Sequence, residues 1–388
     1  MEDRKRHIIA WTLARPVAMA AAKLLFKYDA EVCREEGPFL VLANHNADLD
    51  PLFVAYSFPK PLYFVGSEHI MRSGWISDLL RRTTVVITRQ KGGNAAGTVR
   101  EIVRHLQDGH DVCLFPEGNR SWDGVTRPIT LATGKMARMS GAKLITYRIE
   151  GGYLSSPRWS GSSVRRGKTH GEVQGIYGPE YLKSLTPKQV LEIIERDLYE
   201  NAYERQRSAM TRYRGRNLAE HLETLLFMCP HCRAEGRMRS HGDHFVCDEC
   251  GTELRYTSEG FFTGENMIYD NVLDWNFWQN SLIKAKCEAS GKAPIFSDTC
   301  ISMSIVKTGE SAEYVTTGTL TMYRDRLELP DGTAIPVQNI SGMSLRGPQD
   351  LYLSSGGVNY ILKSSEIRCT HKYLEACKVF DSNLQYGI

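Results

Sequence analysis

The residues best suited to chemistry in this 388-residue chain are His45 and Asp50, in the run Asn44-His45-Asn46-Ala47-Asp48-Leu49-Asp50. An imidazole with an ordinary pKa of about 6.5 can take a proton from a hydroxyl and return it near neutrality, which contributes on the order of 10²–10⁴-fold in rate. A carboxylate on the other ring nitrogen fixes the tautomer and stabilises the imidazolium. Five residues apart, His45 and Asp50 share no face of a regular helix or strand. They meet if His45 ends a strand and Asp50 opens the next helix. Asp50-Pro51 has the composition of such an opening, with Asp as N-cap and Pro as first helical residue. The same composition fits a plain helix cap, with Asn44, His45 and Asp48 as turn residues.

A second set is Phe115-Pro116-Glu117-Gly118-Asn119-Arg120-Ser121, which follows the strand-like run Val112 to Phe115. Gly118 lets backbone approach a ligand closely, and Arg120 offers a planar donor fork suited to phosphate. Glu117 would repel a phosphate, so its expected role is to hold an arginine or to accept a bond from a substrate hydroxyl. Taken alone, the run also fits a structural loop.

The third set is Cys229-Pro230-His231-Cys232 and Cys247-Asp248-Glu249-Cys250. Two Cys-x-x-Cys turns at this spacing suit one tetrahedral Zn²⁺ held by four thiolates. Four thiolates close the coordination sphere, so the expected role is structural, folding a module too small to bury a core. A redox pair or a rubredoxin-like iron centre uses the same pattern. The other six cysteines are scattered, which suits a reducing compartment better than a secreted disulfide framework.

These residues need elements to position them. Between residues 38 and 152, apolar β-type runs alternate with helical patterns: Phe39 to Ala43, Leu62 to Val65, Val85 to Thr88, Val112 to Phe115 and Leu144 to Ile149. Ala95 to Gln107 carries Val99, Ile102, Val103 and Leu106 at helical spacing. The alternation predicts an α/β fold with a mainly parallel sheet flanked by helices. Ligands bind beyond the carboxyl ends of strands in such sheets, where His45, Arg89 and Glu117 fall. Lys188 to about Phe227 reads as one or two charged helices, with Arg205, Arg207, Arg212, Arg214 and Arg216 on a solvated or a phosphate-facing side. Beyond the cysteine region, Ile301 to Val306, Gly318 to Leu329, Ile335 to Met343 and Leu351 to Lys363 read as strands, and His371 to Phe380 as a closing helix. This last region resembles a pleckstrin-type small β-barrel; a β-sandwich that stabilises a dimer fits the same pattern.

Ile8 to Phe26 is apolar but broken by Arg15, Pro16 and Lys23, so no spanning helix is predicted. Two short amphipathic helices in a membrane interface are expected instead, with Pro16 starting the second. A signal peptide, or helices packed on the protein's own core, fits the same stretch. Arg4, Lys5 and Arg6, and the group Arg158, Arg165, Arg166 and Lys168, could face anionic head groups or plain solvent. A net charge of +3 is too small to argue for nucleic acid as a partner. The sequence assigns no oligomeric state.

The three ordered elements, Asn-His-x4-Asp at 44–50, Arg89 closing a strand, and Phe-Pro-Glu-Gly-x-Arg-Ser at 115–121, resemble the glycerolipid acyltransferase family that includes 1-acylglycerol-3-phosphate acyltransferases. The resemblance covers residues 5 to 200 and implies His45 as base, Asp50 as its orienting partner, and Arg89, Glu117, Gly118 and Arg120 at the acceptor phosphate. It implies an acyl thioester of coenzyme A or acyl carrier protein as donor, with no covalent acyl-enzyme. Asn119 stands where that family usually has threonine, Ser67 lies where its second motif often has lysine, and Leu144 to Ile149 lacks the proline of its fourth motif. The expected organisation is membrane-interface helices at 1–30, an acyltransferase domain at 31–220, a zinc ribbon at 221–258 and a β-rich domain at 259–388. The expected function is acylation of the free hydroxyl of lysophosphatidate in phospholipid synthesis, by a peripheral protein on the cytoplasmic face of the cell membrane. Glycerol-3-phosphate or another lysophospholipid as acceptor, and a zinc-ribbon binding or regulatory protein on an inactive scaffold, are the alternatives.

Overall fold

The apolar runs of the first half form one seven-stranded sheet, β1 (Tyr28–Ala30), β2 (Phe39–Ala43), β3 (Tyr63–Ser67), β4 (Val86–Arg89), β5 (Val112–Leu114), β6 (Lys143–Glu150) and β7 (Thr169–Tyr177), in the order β1-β7-β6-β2-β5-β3-β4. The computed structural model describes residues 2–67, 86–89, 95–161, 164–306 and 312–381, without the side chains of 2–4, 67, 88, 89 and 95. Every pairing in this sheet is parallel except β6 with β7. All five residues of β2 are buried, as a strand covered on both faces requires. Its side chains alternate between two cores. Val41 and Ala43 join Phe26, Phe53, Phe58 and Tyr147 on one face, whereas Leu40 and Leu42 join Ile102, Leu106, Met136, Val190 and Ile194 on the other. Each fully buried Leu or Val of this kind contributes roughly 1.5–3 kcal/mol, so the strand that leads to His45 is held from both sides.

The N-terminal segment is one helix, Glu2–Phe26, with Pro16 inside it. The expectation of two helices, with Pro16 starting the second, is therefore corrected. Proline removes one i→i−4 bond and crowds the preceding turn, but contacts on either side of it hold the two halves in line. The Trp11 indole N–H donates to Phe58 O at 3.2 Å and the Arg15 guanidinium to Tyr56 O at 2.9 Å, while Ala22 and Phe26 are buried further along. Lys5–Phe26, 22 residues, is by length and composition long and apolar enough to cross a membrane, which the sequence reading had declined to predict. Ile9, Leu13, Val17 and Leu24 are all more than half exposed. They form a stripe at helical spacing, away from the buried face.

The chain divides into two compact units, the first made of residues 1–156 and 164–213, the second of 157–163 and 214–388. In the first, the helices Pro187–Leu198 and Ala202–Ala209 follow the sheet, and Thr186 and Gln189 form a reciprocal capping box at the start of the former. Helix stops at Ala209; the continuation to Phe227 read from the sequence is irregular apart from one short 3₁₀ turn, Leu222–Thr224.

The second unit holds a four-stranded antiparallel sheet of β8 (Met238–His241), β9 (His244–Cys247), β10 (Glu253–Tyr256) and β11 (Phe262–Thr263). The helix Val272–Ala289 follows, capped by the Asn271 side chain accepting from Asp274 N–H, in a stretch the sequence reading left unassigned. Seven antiparallel strands follow, β12 (Phe296–Val306), β13 (Glu313–Met322), β14 (Arg326–Glu328), β15 (Ala334–Pro336), β16 (Ile340–Arg346), β17 (Asp350–Ser355) and β18 (Val358–Ser364), as two meanders joined where β12 pairs with β18, in the order β15-β14-β13-β12-β18-β17-β16. The run Gly318 to Leu329, read as one strand, is two strands with a turn between them. The closing helix is His371–Phe380. Asp298 of β12 fixes its start, accepting from Arg368 at 2.9 Å, Lys372 at 2.8 Å and Tyr373 OH at 2.8 Å.

Candidate active site

Strand β2 ends at Ala43, and His45 lies in the turn just beyond it. Asn44 holds that turn to the neighbouring strand: its amide N–H donates to Ile149 O at 2.9 Å, and its amide oxygen accepts from Ile149 N–H at 2.7 Å. Asn46 Nδ2 adds a bond to the same carbonyl at 3.1 Å. From the sequence Asn44 reads as a turn residue opening the Asn-His-x4-Asp run; its pairing with Ile149 leaves no spacing signature.

Asp50 is fully buried and opens the helix Asp50–Ser57, with Leu49 in the N-cap position. The expectation of Asp50 as N-cap is corrected: it is the first helical residue, and its carboxylate turns back into the loop. One oxygen, Oδ2, accepts from His45 Nδ1–H at 2.8 Å, Asn46 N–H at 2.5 Å and Ala47 N–H at 2.8 Å. Two fixed backbone donors set where the carboxylate sits, and the carboxylate then sets the imidazole. A proton on Nδ1, assigned from its carboxylate partner, leaves Nε2 with the free lone pair. The His45 side chain is 19% exposed, enough to meet a ligand.

The loop that follows β5 grips His45 at three points. Glu117 Oε1 accepts His45 N–H at 2.6 Å. Ser121 N–H donates to His45 O at 2.9 Å. The Phe115 ring stacks on the imidazole at 4.5 Å between centroids and 25° between planes. Arg120 pairs with Asp48, on the same turn, at 3.2 Å. Gly118 has φ of +72°, which a residue with a side chain adopts only under strain.

Glu117 differs from expectation. Its carboxylate holds backbone: Oε1 takes His45 N–H and Oε2 takes Arg127 N–H at 2.7 Å. Burial pushes this carboxyl up to about 8, opposed by those two N–H donors and by the Arg127 charge.

His45, Asp50, Glu117, Gly118 and Arg120 are thus gathered at the carboxyl ends of β2 and β5. Arg89 closes β4 at the same edge of the sheet, two strands beyond β5; its side chain, like that of Ser67, lies outside the described residues. Thr146, in the run that lacks the family's proline, bonds the buried Asp197 at 2.7 Å.

Most of the basic residues read from the sequence are exposed, among them Lys5, Arg6, Arg207, Arg212, Arg214 and Arg216, but three are internal. Arg165 is buried in the first unit, and Arg158 is buried in the second, where it donates to Leu345 O. Arg205 pairs with the buried Glu200 at 2.9 Å. Arg166 and Lys168 are exposed.

The four cysteine sulfurs lie within 4.8 Å of one another. Cys229–Cys250 and Cys232–Cys247 are each 3.7 Å apart, far beyond a disulfide and close to the ~3.8 Å edge of a tetrahedron with Zn–S bonds of ~2.3 Å. The two Cys-x-x-Cys turns share one geometry: Arg233 and Gly251, each following the second cysteine, have φ of +63° and +71° and return an N–H to Cys229 O and Cys247 O. The donor set and its spacing fit a four-coordinate metal.

Residues 25–150 match the protein-family model described as Acyltransferase. A 1-acyl-sn-glycerol-3-phosphate acyltransferase of Borreliella burgdorferi is 26% identical over 107 residues, which are 27% of this chain and 43% of that protein. The chain therefore spans under half the length of this relative. The crystal structure of the 1-acyl-sn-glycerophosphate (LPA) acyltransferase PlsC from Thermotoga maritima aligns with a TM-score of 0.40 and 20% identity, over 50% of this chain and 79% of that one. The match sets residues 25–150 among acyltransferase-like domains, with the His45–Asp50 pair at the carboxyl end of β2 in a largely parallel sheet. Within that class, the stretch is similar to 1-acyl-sn-glycerol-3-phosphate acyltransferases.

Proposed function

We propose that this protein transfers a fatty acyl group from an acyl thioester, of coenzyme A or acyl carrier protein, to the free hydroxyl of lysophosphatidate. The observation that carries the reading is the His45–Asp50 pair at 2.8 Å, seated by the loop from Phe115 to Ser121. The hydroxyl oxygen attacks the thioester carbonyl while His45 Nε2 takes its proton. The C–O bond forms, the tetrahedral intermediate collapses, and the C–S bond breaks. The proton passes from the imidazolium to the departing thiolate. Asp50 holds the tautomer and stabilises the cation in between. Arg89, Gly118 and Arg120 stand at the acceptor end of the site, while Glu117 supports His45.

Three further features complete the proposal. The exposed stripe Ile9, Leu13, Val17 and Leu24 would sit in a lipid interface, where a lysolipid acceptor resides. The four cysteines would hold a structural Zn²⁺, which folds the small sheet β8 to β11 and takes no part in acyl transfer. None of the ten cysteines is paired in a disulfide, in keeping with the reading of a reducing compartment and the cytoplasmic face. The intact His45–Asp50 geometry speaks against an inactive scaffold.

A labelled acyl-CoA assay on lysophosphatidate, glycerol-3-phosphate and other lysophospholipids tests this. Acylation of lysophosphatidate with the highest kcat/KM, abolished in His45→Ala, is the expected result. Wild-type protein that acylates none of them, or a His45→Ala variant that retains full activity, would sink the proposal.

A further inference from the structure

We propose that Arg127, which belongs to none of the motifs above, receives the phosphate of the acceptor; this rests on the acyltransferase reading. The Glu117 carboxylate takes the His45 N–H on one oxygen and the Arg127 N–H on the other. Two such bonds across one carboxylate keep the two amide nitrogens within about 8 Å, so Arg127 starts beside the base. Its backbone is fixed from both directions. The Thr126 hydroxyl donates to Leu198 O at 3.0 Å, and Thr126 N–H to Glu200 O at 3.0 Å. Pro128 follows and restricts the backbone further.

Charge balance separates Arg127 from several other arginines of the first unit. Arg120 is matched by Asp48, Arg148 by Glu150 and Glu172, and Arg205 by Glu200. Arg127 is half-buried, and among the described residues its guanidinium has no carboxylate or carbonyl partner. The buried Glu117 carboxyl that feels its charge has both oxygens committed to backbone N–H groups. A half-buried guanidinium with no carboxylate engaged is available to an anionic ligand. A phosphate monoester supplies two oxygens in the geometry of the guanidinium fork. Bound there, it would carry its hydroxyl-bearing chain to the imidazole that Glu117 holds alongside.

Coenzyme A also carries phosphates, so the test must separate donor from acceptor. Arg127→Ala, with Arg127→Lys and Arg127→Gln as gentler variants, would be compared with wild type on lysophosphatidate and on phosphate-free monoacylglycerol. The donor would be acyl-CoA in one arm and acyl-pantetheine, which lacks phosphate, in another. The expected result is a rise of about tenfold or more in the lysophosphatidate KM, with kcat nearly kept, partial rescue by lysine, and unchanged KM values for monoacylglycerol and acyl-CoA. Unchanged lysophosphatidate kinetics would overturn the assignment. So would a KM rise confined to acyl-CoA, which would assign Arg127 to the donor, or an equal loss on both acceptors in all three variants, which would make it structural. Wild-type protein inactive on both acceptors would remove the acyltransferase reading first, and this one with it.

Discussion

The backbone N–H of His45 donates to Glu117 Oε1 at 2.6 Å, across 72 positions of sequence. The residue proposed as base is therefore seated by a side chain from another strand end, and its own side chain is left for chemistry. Replacing Glu117 by alanine strips the acceptor from two backbone N–H groups at once. Each buried donor left unmade costs about 1–3 kcal/mol. Glu117→Ala should therefore lower the melting temperature and kcat together, read by calorimetry and by the acylation assay. A variant with kcat reduced and stability untouched would instead make Glu117 a direct substrate ligand.

Asp50→Asn should separate orientation from charge. All three N–H donors converge on Oδ2, so an asparagine oxygen in that position still accepts from His45, Asn46 and Ala47 and keeps the tautomer, while the negative charge beside the imidazolium is lost. A drop in kcat on the order of 10²–10⁴-fold is expected, with a far-UV spectrum like wild type. Activity within a few-fold of wild type would show that the carboxylate charge does not matter.

Burial raises the Glu117 carboxyl to about 8 in the folded chain from an ordinary value near 4.5. Between those values the folded state binds more protons than the unfolded one. Unfolding then releases protons, so stability falls as pH rises through this window. Urea titrations from pH 5 to pH 8.5 should show that slope in wild type. In Glu117→Gln the slope should be shallower; identical slopes would count against a raised carboxyl.

The N-terminal helix offers a separate test. Leu13 and Val17 are 73% and 72% exposed. Changing both to glutamate should weaken sedimentation with anionic lipid vesicles by about tenfold or more, because two apolar side chains leave the interface and two like charges enter it. The melting temperature should stay within a few degrees of wild type. Undiminished vesicle binding would rule out this stripe as the membrane contact.

The cysteine cluster makes a compositional prediction. Purified protein should carry one zinc per chain by elemental analysis, and Cys232→Ser should lower that ratio. A strong chelator should lower the melting temperature, since the sheet β8 to β11 has little core of its own. Iron in place of zinc, or no metal at all, would refute a zinc site.

Much of this was legible in the chain. The sheet announced itself because β2 is a continuous apolar run set among other short β-type runs, and the His45–Asp50 pair because Pro51 marks where a helix starts. The cysteines were legible because their geometry is local and repeated. What escaped was contact made by ordinary-looking residues across the fold. Asn44 paired to Ile149, Phe115 stacked on His45, and Glu117 bound to two backbone N–H groups all depend on β2 lying between β5 and β6, which no local spacing encodes. The N-terminal helix was misread for the same reason: Pro16 is a local stop signal, overridden by Trp11 and Arg15 anchoring to the end of the next helix.

Residues 157–163 belong to the second unit although the chain on both sides of them belongs to the first. Trp159 in this strap is fully buried, 5.6 Å from the Tyr256 ring. Trp159 and Tyr256 are almost a hundred positions apart, so on the ribosome this ring contact forms only after the second unit has emerged. The strap is thus a piece of sequence lent from the middle of one unit to the packing of the other, and a chain cut at 213 would leave the indole without its Tyr256 neighbour.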